Sequence, residues 1–176
     1  MAATYRAVAT AVPFNASARS LLKVFNASGS GKVLRIYRIW VLNNQTAAIT
    51  GVLPSVQIVR ITAASGGTTV TPMKHDPNSA ALPAQITAAH SDTSISVDAT
   101  FRRFLWSSDE PAVSTMTIDE WETIVPINLV WDSGYNDSTV EPITIRETYG
   151  ISVYNPGIAS AAGTADIIIE FTAADS

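Results

Sequence analysis

Four groups of residues in this chain have types and spacings that could do chemistry. Ser28-Gly29-Ser30-Gly31-Lys32 has the composition of a phosphate loop, in which backbone N–H groups and a lysine cradle an anion. That motif requires Gly at position 26 and Ser or Thr at 33, where the chain has Asn26 and Val33. A strand pattern follows it, so no helix N-terminus faces the loop, and the segment reads as a tight hairpin turn. His75 and His90 are the only histidines, and no His-x-His or His-x₃-His pair sets two ligands on one metal. A Ser–His triad would need an exposed nucleophile, and no Gly-x-Ser-x-Gly elbow occurs. Both histidines therefore read as surface or turn residues.

The carboxylates Asp109-Glu110 and Asp119-Glu120-x-Glu122 lie near Trp106, Trp121 and Trp131. Paired acids flanking a sugar cleft lined by stacking indoles are what a glycosidase needs, and β-sandwiches do host such enzymes. Adjacent acids in a polar loop are more simply solvated, which leaves a carbohydrate-binding module as the alternative reading of the tryptophans. Asp132-Ser133-Gly134-Tyr135-Asn136-Asp137-Ser138 offers Ca²⁺ ligands at Asp132, Asn136 and Asp137 but lacks EF-hand spacing and its terminal Glu. An Asp/Gly/Asn turn accounts for the same residues. With no cysteine in the chain, disulfides, thiolate metal sites and cysteine nucleophiles are excluded. The expectation is a protein that is not an enzyme, with no catalytic residue, no cofactor and no metal.

The elements that would position these residues are strands. Apolar side chains recur with a period close to two. In Ser94–Phe101, Ile95, Val97, Ala99 and Phe101 alternate with polar residues and are expected to face inward. In Thr164–Thr172, Ala165, Ile167, Ile169 and Phe171 point inward while Asp166 and Glu170 point out. Val33–Leu42 is apolar on both faces, as in a strand that is central or meets another subunit. Further strands are expected at Ser20–Asn26, Ser55–Thr62, Gly67–Thr71, Ile124–Trp131, Glu141–Arg146 and Gly150–Tyr154, with one short helix at Met116–Glu122. Pro72–Ala89 and Ser107–Trp121 read as long irregular segments of the kind that often form interfaces. The whole predicts an all-β, single-domain antiparallel β-sandwich, a jelly roll in its finer form, over residues 20–176, preceded by an N-terminal arm or edge strand over 1–19.

Charged residues are 15% of the chain, low for a soluble protein, and the net charge is −4. Residues 1–75 hold eight basic side chains and no acid; residues 76–176 hold three arginines and all fifteen acids. Either the halves interleave and neutralise across strands, or the molecule has a basic and an acidic face for two partners. The negative balance and scattered basic residues speak against nucleic acid. Met1–Arg6 is no signal peptide and no apolar run reaches the ~18 residues needed to cross a bilayer, so no membrane is expected and the chain is expected to be made in the cytoplasm.

The run Val24-Phe25-Asn26-Ala27-Ser28-Gly29-Ser30-Gly31-Lys32-Val33-Leu34-Arg35-Ile36, with Leu82-Pro83-Ala84, resembles structural proteins of tailed bacteriophages. So do Ile143–Val153 and Ala161–Phe171. In such proteins an Arg-x-Gly-Glu-Gly-like turn joins the last two strands; Glu147-Thr148-Tyr149-Gly150 departs from it. The resemblance implies a capsid decoration, or cement, protein on the virion surface, binding the major capsid protein as a homotrimer, with no small-molecule substrate. A tail, neck or fibre component is the alternative within the virion. Contact residues are expected on the outward face of the third strand, at Arg35, Tyr37 and Ile39, and on the arm, at Arg6 and Arg19.

Overall fold

Ala165, Ile167, Ile169 and Phe171 are all fully buried on one side of the strand Thr164–Asp175, the face their alternation assigns to the core. The computed structural model describes residues 3–14, 17–44, 55–105, 129–133, 141–157 and 163–176. Within these the chain forms β1 (Ala3–Pro13), β2 (Arg19–Asn26), β3 (Lys32–Asn43), β4 (Ser55–Ser65), β5 (Thr68–Val70) and β6 (Met73–Lys74). It continues with β7 (Ile86–His90), β8 (Ser94–Leu105), β9 (Leu129–Asp132), β10 (Ile143–Ile145), β11 (Tyr149–Asn155) and β12 (Thr164–Asp175). No helix occurs among the described residues, and the helix expected at 116–122 lies outside them.

Two antiparallel sheets pack face to face as a β-sandwich. Sheet A runs β10-β3-β12-β1-β6, with β9 also paired to β3; sheet B runs β5-β7-β2-β11-β4-β8. Between them Ala7, Val12, Ile36, Ile39 and Phe171 of sheet A meet Leu22, Val24, Ile58 and Val153 of sheet B in one apolar cluster. Burial of such aliphatic side chains contributes about 1.5–3 kcal/mol each, the main drive toward this arrangement.

Four features correct or sharpen the sequence reading, each for a physical reason. Of the arm or edge strand expected over 1–19, residues 3–13 form a strand: Tyr5, Ala7, Ala9 and Val12 are buried, and pairing with β12 runs from Ala3↔Ala173 to Pro13↔Thr164. Among the described residues its other side meets only β6, at Tyr5 and Arg6. The second difference is in β3, where Arg38 pairs with Glu170 but Ile36 with Phe171, leaving Tyr37 as an extra bulge residue. The bulge reverses the alternation, so Leu34, Ile36, Ile39 and Val41 all face the core. Ile39 is therefore a fully buried core residue and does not share the outward face of Arg35.

The third difference is in β8, whose apolar residues were expected inside. Val97 and Phe101 are exposed and Ile95 and Ala99 only half-buried. Among the described residues β8 is the edge of sheet B, bonded to β4 alone with three register shifts. Periodicity finds the apolar face of such a strand but not whether another sheet lies over it. The fourth is in Pro72–Ala89, which is less irregular than expected, holding β6 and most of β7.

Sheet B is also buried on its far side. Ser20, Val59, Ile61 and Ser152 are fully buried there although they point away from the main core, and the Ser20 and Ser152 hydroxyls lie 2.7 Å apart. Lys23 stands among them, its Nζ donating to Asp92 Oδ1 at 2.7 Å and to the Ala64 carbonyl at 2.8 Å. Asp92 enters from the β7–β8 connection and Ala64 from the end of β4, so the chain folds over its own sheet at this point. Gly67 allows that approach, because a Cβ there would meet the Asp92 carboxyl carbon at 2.7 Å and the His90 carbonyl at 2.6 Å.

Candidate interaction face

The outer face of sheet A is built by strand register. Arg6 of β1 pairs with Glu170 of β12, Glu170 with Arg38 of β3, and Arg38 with Asp132 of β9. Four neighbouring strands thus carry a row of alternating sign across the sheet. Two residues along β1, β12 and β3, and three along β9 where the register shifts, a second row is wholly apolar: Val8, Ile168, Trp40 and Leu129 are likewise register partners. Flanking these, Thr4 pairs with Thr172, Thr172 with Arg35 and Arg35 with Thr144, while Asp166 pairs with Leu42.

The charged row is bonded within itself. Arg6 Nε donates to Glu170 Oε1 at 3.0 Å, and a second guanidinium nitrogen of Arg6 donates to the same oxygen. Arg38 approaches Glu170 at 3.9 Å and Asp132 at 3.8 Å, and His75 Nε2 lies 3.5 Å from Glu170. The Arg6 guanidinium also sits over the Trp40 ring, 5.9 Å from its centroid, joining the two rows by a cation–π contact. Exposure is graded. The Glu170 side chain is 8% exposed, whereas the row ends at Arg6 and Asp132 are 40% and 36% exposed. Charge is covered at Glu170 and more exposed toward both ends, with Arg38 at 29%, beside half-exposed apolar side chains.

Of the residues expected to make contacts, Arg6 and Arg35 lie on this face, Tyr37 sits half-buried on the bulge beside it, and Ile39 lies beneath it. Arg19 belongs to β2 of sheet B and pairs with Asn155, remote from the row. Sequence reading missed Glu170, Arg38, Trp40, Ile168 and Asp132 as a set. The outward positions of β12 were visible, but their partners follow only from register between strands far apart in sequence.

The charge asymmetry between chain halves resolves as cross-strand neutralisation. Arg6, Lys23, Lys32, Arg38 and Arg60 each pair with an acid from the second half. The phosphate-loop-like turn does hold an anion, one belonging to the chain itself. Gly29 and Gly31 take positive φ of 83° and 63°, so their N–H groups converge on the Glu147 carboxylate at 3.1 and 2.6 Å, and Ser30 Oγ donates at 3.2 Å. Those backbone bonds hold the Glu147 carboxyl below the ordinary value of 4.5.

Other candidate chemistry is committed or outside the described residues. His90 Nδ1 lies 3.0 Å from the hydroxyl of its chain neighbour Ser91, while Asp92 is turned away to Lys23. Trp131 packs half-buried against the core. A cavity of about 670 Å³ between the start of β1, the end of β12 and residues 75–83 is lined by five alanines and by polar residues that include Lys32, His75, Asp76 and Asp175. Within it Lys32 is engaged with Asp175 at 2.5 Å and the Tyr5 hydroxyl donates to the Ala80 carbonyl at 2.7 Å. Asp109, Glu110, Asp119, Glu120, Glu122, Trp106, Trp121 and the loop 134–138 lie outside the described residues. Among the described residues no three His, Asp or Glu side chains are grouped to hold a metal ion, and no helix is long and apolar enough to cross a membrane. No family model matches the chain, and no curated protein or solved structure is significantly similar to it.

Proposed function

We propose that this chain is a structural protein that acts through its surfaces, and within that class a decoration protein of a tailed-phage capsid. It binds the outer shell and clamps neighbouring major capsid subunits. The observation that carries the assembly reading is the outer face of sheet A, where a graded charge row lies in register beside an apolar row. Interfaces combine a partly exposed apolar patch with charged groups at its margin, and Arg and Trp are enriched in them. The phage setting rests on the resemblance of the β2–β3 turn and the last two strands. The nested order β2-β11-β4-β8, in which an early strand pairs with a late one, is in keeping with a jelly roll.

The test is to purify virions from lysate of the host in which the chain is encoded, and to seek the chain by mass spectrometry and its density by cryo-electron microscopy. Density repeating over the outer shell at capsid-like copy number is the expected result. Absence from purified particles overturns the reading, and density confined to tail or neck moves the chain to another virion role.

A further inference from the structure

The order of charges along the row identifies a specific partner. Arg6, Glu170, Arg38 and Asp132 read plus, minus, plus, minus across four strands. A row of even length with alternating sign becomes its own complement when reversed. We infer that this face docks a second copy of the same chain about a two-fold axis that runs parallel to the strands, between β12 and β3. This rests on reading the face as an interface, and it names the occupant.

The axis fixes every contact. Rotation about it lays Arg6 of one copy over Asp132 of the other and Glu170 over Arg38, twice each, with no like charges opposed. The same rotation keeps each row over its own counterpart. Val8 meets Leu129, and Ile168 meets the Trp40 indole, so the apolar row is covered by an apolar row. Such an isologous contact satisfies both copies at once. The more exposed charges of the row, Arg6 and Asp132 at its two ends, are the pair the rotation brings together. Strands ~4.8 Å apart and alternate residues ~6.8 Å apart give the three rows of four residues and the shorter row of Asp166 and Leu42 an area of roughly 450 Å². Counted over both copies this is about 900 Å², just under the ~1,000 Å² expected of a stable specific interface, which makes the dimer a weak, dissociable one.

Sedimentation velocity on the full chain over roughly 1–200 μM, the range in which an interface of this size dissociates, should show monomer passing to dimer. Arg6→Glu and Asp132→Arg each oppose like charges twice per dimer and should weaken it by about tenfold or more. Mixed one to one, the two variants should recover the dimer, because the reversed position 6 of one then faces the reversed position 132 of the other. Circular dichroism checks that each is folded. Should Arg6→Glu fail to fold, Val8→Lys interrupts the apolar row without touching the charges and should give a folded monomer. A monomer at the highest concentration, a stable trimer, a mixture that stays monomeric or a Val8→Lys dimer overturns the two-fold docking. If the chain dimerises as described but is missing from virions, the decoration reading fails and this one stands. If it coats virions but is monomeric in solution, the reverse holds.

Discussion

Both sheets of this sandwich hold a cation beside a carboxylate on the side away from the core, with opposite consequences. On sheet B the pair is Lys23 and Asp92, with side chains only 9% and 1% exposed, and the chain itself closes over it. On sheet A the row from Arg6 to Asp132 is covered at Glu170 and more exposed toward its ends. An ion pair sealed in a low-dielectric setting acts in folding, since losing one partner strands a buried charge. One that reaches water at its margin adds little to stability and is free to recognise. Cover, more than the residues themselves, separates structure from function here.

Removing residues 1–12 should have the largest effect and would abolish the face altogether. It deletes Tyr5, Ala7, Ala9 and Val12 from the core and leaves β12 unpaired on one side, so loss of the cooperative unfolding transition is expected by circular dichroism. A folded truncated protein would return the segment to the status of an arm.

Asp92→Ala tests the sealed side. It leaves the Lys23 ammonium buried with one carbonyl acceptor, and should lower stability by about 3 kcal/mol in urea titration. Gly150→Ala probes the same side by packing. A Cβ at Gly150 would meet Phe25 Cδ2 at 2.6 Å and the Val24 carbonyl at 2.9 Å, so a cost of about 1–3 kcal/mol is expected from the same titration. Asp132→Ala is the counterpart on the open side and should cost less than about 1 kcal/mol in the monomer. Equal losses for Asp92→Ala and Asp132→Ala would erase the distinction between the faces.

The smallest effect belongs to the turn at Glu147. Its folded pKa is depressed by the Gly29 and Gly31 backbone bonds, so its contribution is present above the unfolded value near 4.5 and is lost as pH falls through the lower folded value. The unfolding midpoint of Glu147→Gln should therefore lie below that of the parent at neutral pH, with the gap narrowing in acid. A gap independent of pH would mean that the carboxylate charge is not what the turn holds.

What the sequence showed and hid follows from what is local. The inward set of β12 was legible because alternation is a property of one strand. So was the Ser28–Lys32 turn, since its glycines need no distant partner to take positive φ. The anion in that turn was not legible, because Glu147 lies 118 residues from Gly29. Ile39 was assigned to the wrong face because one bulged residue at Tyr37 reverses a two-residue period, and nothing in the composition of the run marks it. The two-sided apolar character of β3 pointed to a strand that is central or meets another subunit, and β3 does lie inside sheet A, between β10 and β12. Complete two-sided burial instead occurs in sheet B, where the chain folds back on itself. The charge row was invisible for a further reason: its four members are spread from position 6 to position 170 and become neighbours only in register.

The place of β12 in sheet A also governs when this protein can fold. It lies between β3 and β1, so the two halves of that sheet have no connection through hydrogen bonds until it arrives. Arg6 and Glu170 are 164 residues apart, and at translation rates of about 5–20 residues per second β1 waits on the order of ten seconds for its partner. Contacts of such sequence separation are slow to form, and the early strands meanwhile expose edges open to wrong pairing. A nascent chain interrupted before β12 therefore lacks both the sheet and its outer face. Only chains that have been read through to β12 can present a surface on which anything assembles.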